Sequence, residues 1–363
     1  MKTKKRRILA YYITPHGFGH AVRSLEVIRQ LYLMSDSVDV IVVSDLPQFL
    51  VDENVGRSLP IRRKRLDLGL VQKDSLRFDL DVSLKVLEEL YESRESLINE
   101  EIAFLESEQV DEIVCDIPFL PFLAASEYGV PSLGMSNFTW DWIYQAYAQS
   151  DSRWSPLVRW IRESYGACGH FLQLPMHGDC SACPHIEDVP LVARKSTRDP
   201  EKTRKILGCE PGKKACLISF AHLHLDEKAQ RNLERIDNAL FFYKKPLSFH
   251  FGNSRCLDAF NLSYADVVAA MDAVITKPGY GIVSDCLVQG TPVIFTDRGF
   301  FPEYDILVDE MRRHLATFFL PLEDFYAGEW EPAITALDAL PRLESKVRSD
   351  GAEVCARAIL SRL

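Results

Sequence analysis

The sequence predicts an α/β chain built as two Rossmann-like domains, and three observations lead there. Short apolar, β-branched runs alternate with amphipathic segments along the chain, the order of strands and helices in a doubly wound sheet. That alternation starts twice, at residues 8–13 and again at 215–220. A length of 363 residues is enough for two cores of ordinary size.

The first domain opens with a strand at 8–13 that stops at Pro15. His16-Gly17-Phe18-Gly19-His20 then forms a glycine-interrupted turn, and 21–34 carries helical spacing with Val22, Leu25, Ile28 and Leu31 on one face. A second buried strand is expected at 38–43. Residues 61–70 alternate charged and apolar side chains and read as an edge strand, and 81–108 read as one long amphipathic helix. A short buried strand at 112–115 delivers Asp116 at its carboxyl end. A helix at 119–128, a strand at 130–135 and the exit loop Ser136-Asn137-Phe138 follow. Open α/β sheets bind ligands beyond the carboxyl ends of their strands, where Asp116 and Ser136-Asn137 would lie. The aromatic stretch 139–165, with Trp140, Trp142, Tyr144, Tyr147, Trp154 and Trp160, reads as core packing, a sugar-stacking or lipid-facing platform being the alternative. Residues 171–174 are expected to be the last strand of this domain and 177–198 the connection to the next.

The second domain continues with a helix at 226–241, a strand at 247–251, a helix at 264–271 and a buried strand from Ala273. Lys277-Pro278-Gly279-Tyr280-Gly281 breaks that strand sharply, and the next residues return to helical spacing through Ser284, Asp285 and Cys286. Gly290-Thr291-Pro292 turns into a strand at 293–295, a helix is expected at 303–313, and 343–363 reads as a terminal helix. The strand, glycine turn and helix start at 273–285 make an anion site: unpaired N–H groups and the positive helix end point at it, and glycine lets a phosphate come close. Asp285, one turn into the helix, has the reach for ribose hydroxyls. A nucleoside diphosphate is the expected ligand.

Bulk properties exclude several classes. A content of 47% hydrophobic and 26% charged residues is that of a globular protein. A formal net charge of −10 argues against nucleic acid as partner, because phosphate backbones select basic surfaces. No run approaches the roughly 18 apolar residues that span a bilayer. The apolar segment behind the basic opening Met1-Lys2-Thr3-Lys4-Lys5-Arg6-Arg7 is too short for a signal sequence, so a cytoplasmic location is expected. That basic tip is read as a solvated terminus, with weak peripheral membrane contact as the alternative. The 9 cysteines are scattered, as suits free thiols. His177, Cys180, Cys183 and His185 could close a small zinc site, against a plain polar loop as the other reading.

A family resemblance rests on these motifs. Residues 276–295 resemble the donor-nucleotide motif of GT-B glycosyltransferases, especially the branch of the peptidoglycan N-acetylglucosaminyl transferase, with Asp285 where that family usually has Glu. His16-Gly17-Phe18-Gly19-His20-x-x-Arg23 resembles the first glycine loop of the same transferases. Together with Ser136-Asn137-Phe138-Thr139-Trp140-Asp141, the set is similar to the GT-B-like amino-terminal half of L-arabinokinases, and nothing resembles their kinase half. The resemblance implies a GT-B fold of two domains facing across a cleft: 1–188 for the acceptor, 189–345 for the nucleotide-sugar donor, and a terminal helix at 346–363 returning to the first domain.

It also implies an inverting, metal-independent transferase of hexosyl type, using a nucleotide sugar, first of all a UDP-sugar, as co-substrate with no further cofactor. The acceptor, a saccharide, lipid-linked or small molecule, is left open. His20 is the candidate base and Asp116 its partner, with His16 as second candidate base. Gly17, Gly19, Lys277, Gly279, Tyr280, Gly281, Ser284, Asp285 and Glu303 are the candidate nucleotide-sugar contacts, with Arg194 near the phosphates. One departure stands out: where the family has a Gly-Gly turn after the strand at 215–220, this chain has Ala221-His222-Leu223-His224. Two rival readings remain, a nucleotide-sugar epimerase or hydrolase and a non-catalytic sugar-nucleotide-binding regulatory module.

Overall fold

The computed structural model describes residues 6–73, 77–340 and 347–363. They divide into two units: one of Met1–Val71, Phe78–Val192 and Arg348–Leu363, the other of Gln72–Arg77 and Ala193–Val347. No helix among the described residues is long and apolar enough to cross a membrane. Residues 1–5 of the basic tip at 1–7 lie outside the described residues. Arg6 and Arg7, which complete it, pair with Asp39 at 3.1 Å and Asp111 at 2.6 Å.

The first unit runs β1 (Arg7–Ile13), α1 (Phe18–Met34), β2 (Val38–Val43), α2 (Gln48–Val55), β3 (Ile61–Arg62), α3 (Leu80–Glu92), α4 (Arg94–Ser107), β4 (Glu112–Asp116), α5 (Leu120–Tyr128), β5 (Ser132–Ser136), α6 (Trp140–Ala148), α7 (Trp154–Tyr165), β6 (His170–Gln173) and β7 (Ile186–Asp188). The strands form one parallel sheet in the order β3-β2-β1-β4-β5-β6-β7. Central strands of such a sheet are covered on both faces and read as unbroken apolar runs. Leu9, Ala10 and Tyr11 of β1, and Ile113, Val114 and Cys115 of β4, are accordingly inaccessible to solvent.

Three sequence expectations are corrected here. The edge strand expected at 61–70 is two residues long, because the chain leaves the sheet to bury Leu66 and Asp67. The helix expected at 81–108 is two helices meeting at Ser93, whose ψ of −1° interrupts the repeat. Glu92-Ser93-Arg94-Glu95-Ser96 offers the core no apolar anchor, and serine favours helix ends over interiors. The strand at 170–173 is not the last: β7 pairs beyond it, inside the segment read as connection, where Ile186 is the one apolar residue among three exposed ones and makes no apolar run.

The second unit runs α8 (Pro200–Leu207), β8 (Lys214–Ser219), α9 (Glu227–Glu234), β9 (Ala239–Tyr243), β10 (Ser254–Cys256), α10 (Tyr264–Ala270), β11 (Ala273–Thr276), α11 (Tyr280–Gln289), β12 (Val293–Phe295), α12 (Glu303–His314), β13 (Thr317–Phe319), α13 (Leu322–Ala327) and α14 (Glu331–Ala336). Its strands are also all parallel, ordered β10-β9-β8-β11-β12-β13. Asp199 and Asp226 cap α8 and α9 by accepting from Lys202 and Ala229 N–H groups.

The helix expected at 226–241 stops at Glu234, and its apolar end is β9, buried beside β8. The strand expected at 247–251 is a loop. Leu247, Phe249 and Phe251 alternate as in a strand but are buried core residues, with Phe249 against Tyr243 at 5.1 Å and Phe251 against Phe241 at 5.7 Å. Pro246, which has no N–H to donate, precedes them.

A final helix, α15 (Gly351–Leu360), belongs to the first unit and packs on α1, burying Ala352, Cys355, Ala356 and Ile359. Its start needs glycine, since a Cβ at Gly351 would fall on the Pro190 carbonyl oxygen. The start expected at 343 is not reproduced: 347–350 are non-helical, and 341–346 lie outside the described residues.

Glu112, on β4, is fully buried with no hydrogen-bond partner for either carboxyl oxygen among the described residues. Burial raises its pKa from 4.5 to about 7, against a smaller opposing pull from Arg362. The folded state therefore prefers the neutral acid. Its stabilising contribution is complete below the unfolded pKa, falls as pH rises toward 7, and stays lost above. Glu112→Leu should raise stability at pH 8 by about 3 kcal/mol more than at pH 4. Urea unfolding curves of both proteins at the two pH values check this.

Candidate functional site

In each unit the chain builds outward from a central strand to one side and then crosses to the other. The switch point lies between β1 and β4 in the first sheet and between β8 and β11 in the second. The carboxyl ends of those strands are where open α/β sheets bind ligands.

In the first unit β1 leads into the His16–His20 turn, and the Thr14 N–H donates to the Asp116 carbonyl at 2.8 Å, joining the two strand ends. Gly17 sits at φ +80°, a conformation glycine adopts without strain, and α1 starts at the next residue. Gly17 and Gly19 thereby bring His20 into the first turn of α1.

His20 Nδ1 lies 2.7 Å from Asp116 Oδ1. Arg23, one turn further, donates Nε to Asp116 Oδ2 at 2.7 Å and Nη2 to Oδ1 at 2.6 Å. Ser24 Oγ donates to Oδ2 at 2.8 Å. Burial alone would raise the Asp116 pKa, but the Arg23 charge, then His20, outweigh it and hold the carboxyl at about 2. Arg23 also donates to Asn137 Oδ1 at 2.7 Å and Ser136 Oγ at 2.8 Å, tying in the exit loop of β5. The Phe138 ring stands edge-on to His20 at 5.5 Å.

His16 turns the other way, edge-on to Trp140 at 5.3 Å, and a Cβ at Gly69 would fall on its ring. Trp140 donates Nε1 to Asp67 Oδ2 at 2.8 Å. Asp67 is a buried acid raised to about 7 chiefly by burial. Sequence reasoning missed it inside a supposed edge strand; its signal was a lone carboxylate between Leu66 and Leu68. The aromatic stretch is packing, with Trp140, Tyr144, Trp154 and Tyr165 buried and Trp140 stacked on Tyr144 at 5.5 Å.

In the cysteine–histidine cluster Cys183 lies beside Cys168 and Cys180, without the histidines joining them as a metal-holding set among the described residues. Cys168, Cys180 and Cys183 are buried free thiols, while His177 and His185 are exposed. No group of three or more His, Cys, Asp or Glu among the described residues is arranged to hold a metal ion.

In the second unit β11 ends at Thr276, whose hydroxyl donates inward to the Ser219 carbonyl at 2.8 Å. Gly279 is the N-cap of α11, with extended backbone, no side-chain cap, and open space where a Cβ would stand. Lys277, Gly279, Gly281 and Ile282 are partly exposed; Tyr280, Ser284 and Asp285 are buried. Ser284 Oγ has no hydrogen-bond partner among the described residues. Asp285 Oδ2 accepts from Arg194 Nη2 at 2.6 Å, and Gln289 holds the Arg194 carbonyl at 3.0 Å. Arg194 is thus placed on the carboxylate expected for ribose.

Glu303 begins α12 and faces Arg298 at 3.6 Å. Arg298 donates Nη1 to the Pro278 carbonyl at 2.8 Å and lies over the Phe301 ring at 4.3 Å, joining the loop after β12 to the glycine turn. His222 and His224, in the changed turn after β8, line an open cavity of about 480 Å³ with Arg77, Leu223, Pro246, Leu247 and Tyr326.

Two Rossmann-like units with all-parallel sheets are the GT-B architecture, and the fold of this chain is that of GT-B glycosyltransferases. No family model matches the chain. It is 29% identical over 369 residues to an L-arabinokinase of Arabidopsis thaliana, a match covering 98% of this chain and 34% of that protein. The chain therefore spans about a third of the length of that curated relative. Among solved structures, the glycosyltransferase of kitacinnamycin superposes with a TM-score of 0.63 at 15% identity, covering 99% of this chain and 100% of that one. Arabidopsis thaliana UGT89C1 complexed with UDP-L-rhamnose gives 0.58 at 14% identity, covering 92% and 91%. MurG of Acinetobacter baumannii gives 0.56 at 12% identity, covering 98% and 99%.

Asp116 carries an acid-stability prediction. Its folded pKa lies below the ordinary 3.8, so its contribution is present above that value and lost as pH falls from about 4 to about 2. Asp116→Asn should lack this acid loss. It should also cost roughly 3–5 kcal/mol at pH 7, because Arg23 is left buried without its counter-charge. Urea unfolding followed by tryptophan fluorescence, repeated between pH 2 and 7, reads both.

Proposed function

We propose that the chain is an inverting glycosyltransferase that moves a sugar from a nucleoside diphosphate sugar, a UDP-sugar first, to an acceptor hydroxyl. The observation that carries the reading is the His20–Asp116 contact at the switch point of the first unit. A hydroxyl attacking an anomeric carbon must lose its proton, and imidazole anchored through Nδ1 presents Nε2 as the accepting atom. In the second unit the uncapped start of α11 supports donor binding: its N–H groups and the partial positive charge of the helix end suit a diphosphate, and Lys277 adds a full charge. On this scheme protein groups offset the leaving diphosphate charge, so no metal is required, and single displacement at the anomeric carbon inverts it. The sugar is taken to be of hexose type. A solved structure of the same fold is complexed with UDP-L-rhamnose, which supports testing uridine nucleotides first. The acceptor class is left to experiment.

One observation favours a second reading, a sugar-nucleotide-binding module without catalysis: Arg194 already holds the Asp285 carboxylate proposed for ribose. Calorimetric titration with UDP, GDP, ADP and dTDP separates the two, followed by transfer assays with sugars of whichever nucleotide binds. The transferase reading expects one nucleotide to bind, Asp285→Ala to weaken it, and His20→Ala to slow transfer roughly 10²–10⁴-fold with donor affinity kept. Binding without transfer, unchanged by His20→Ala, sinks the enzyme and leaves the module; no binding at all sinks both.

A further inference from the structure

Three buried thiols meet where the first sheet reaches its β7 edge. Cys168 stands three residues before Phe171, and Cys183 three residues before Ile186; Phe171 and Ile186 are register partners of β6 and β7. The two cysteines therefore approach neighbouring parallel strands in step. Such strands run about 4.8 Å apart, and a disulfide needs its Cα atoms within about 7 Å. The two side chains are in contact. Cys183 is hydrogen-bonded to Cys168, and the Cys168 thiol donates in turn to the His170 carbonyl at 3.0 Å. Cys180 adjoins from the same loop as Cys183, its carbonyl accepting the Cys183 N–H at 3.0 Å.

The surroundings keep these sulfurs as thiols. All three are buried and unbridged. Burial, then Asp141 and Asp179, push Cys180 up to about 12 against a smaller pull from Arg23, and burial raises Cys183 as well. The thiolate is the reacting form, so the closed cluster is inert. Reaction needs the segment 177–185 to open, and its make-up suits that. His177, Asp179, Ser181 and His185 are exposed, and Cys180 and Cys183 are its buried residues. Cys115 is a further thiol beside Cys168, but it lies within β4, a central strand that such an opening leaves in place.

We propose that Cys168 and Cys183 are a disulfide-forming pair, oxidised by a low-molecular-weight disulfide when 177–185 opens. On opening, the Cys183 thiol gives its proton to water, and the thiolate attacks one sulfur of the reagent. A mixed disulfide forms, and half of the reagent leaves as a thiolate that takes up a proton. The Cys168 thiolate then attacks the Cys183 sulfur, the mixed disulfide breaks, and the second half leaves in the same way. Two protein thiols are oxidised, and one reagent disulfide is reduced to two thiols.

The new bond ties 177–185 to the start of β6. That segment already rests on the exit loop of β5: the Gly178 N–H donates to the Asn137 carbonyl at 2.9 Å, and the Thr139 hydroxyl to the Asp179 carbonyl at 3.2 Å. Oxidation thereby holds closed the segment that backs Asn137 and Thr139. The pairing does not depend on the transferase reading.

The test incubates the full chain with oxidised glutathione at pH 8, quenches with N-ethylmaleimide at intervals, and maps the unreduced peptides by mass spectrometry. Peptides joined through Cys168 and Cys183 are expected as the main bridge. Cys180→Ser should keep that bridge, and Cys183→Ser should remove it. In the oxidised wild type, amide hydrogen exchange across 177–185 should slow roughly tenfold, because the opening that exposes these amides is tethered. A main bridge from Cys180 to Cys183 or from Cys168 to Cys115 overturns the proposal. So does a glutathione adduct that stays on Cys183, or the absence of any bridge in this cluster. Unchanged exchange across 177–185 in a chain that has the bridge overturns the opening of that segment as the route. All of these are read in the wild type, so the outcome stands even if a serine variant fails to fold.

Discussion

The first unit depends on one buried ion pair. Arg23 and Asp116 meet where the chain changes direction in the sheet, one from the first helix and the other from the end of the strand that crosses over. Burying either charge alone would cost several kcal/mol, so each needs the other. The pair stays because its hydrogen bonds are nearly saturated. Asp116 receives four donors, and Arg23 reaches on to Asn137 and Ser136 at the end of the neighbouring strand. The ends of β1, β4 and β5 are thereby fixed by one polar network. The histidine it holds is set by the same contacts.

The second unit fixes its corresponding edge differently. No side chain caps α11, and the turn before it is held from outside by Arg298 on the Pro278 carbonyl, with Glu303 and Phe301 against the guanidinium. Arg194, from the chain before α8, is a second such brace on the same helix through Asp285. Side chains expected to touch a ligand are thus partly engaged in shaping the turn, while the N-cap residue of the helix, Gly279, brings no side chain to its N–H groups. Backbone groups held by a rigid frame stabilise an anion without reorganising, which is where electrostatic binding gains most.

What the sequence disclosed, and what it hid, follow from the range of the interactions. The doubled α/β order was legible because buried parallel strands are apolar throughout, and the start of α11 because glycine and proline punctuate it locally. The GT-B fold was legible through those same motifs. Errors fell where local pattern and tertiary role diverge. Leu247, Phe249 and Phe251 alternate like a strand but serve as loop residues sealing a core, and β7 is a strand with no buried side. Arg23 was visible as part of a motif, yet its role was not, because its partners lie about 90 to 115 positions away. The same holds for Asp67, whose partner Trp140 is 73 positions away, and for Arg194, 91 positions from Asp285.

On the proposed transferase reading, two copies of one topology would serve two kinds of chemistry, and the difference is physical. Accepting a proton requires a group with a lone pair and a tunable pKa, which the backbone does not possess; in the proposal that group is His20, projected from the switch point of the first unit. Stabilising a diphosphate requires many aligned donors at short range, and a helix start supplies these without a titratable group; in the proposal that start is α11 of the second unit. Exchanging the devices would serve neither task. A helix start cannot take a proton, and a single imidazole cannot match several N–H groups on a multivalent anion. The glycines at 17 and 279 mark these two solutions: one sets the backbone entry of a helix that delivers a side chain, and the other leaves a helix start open.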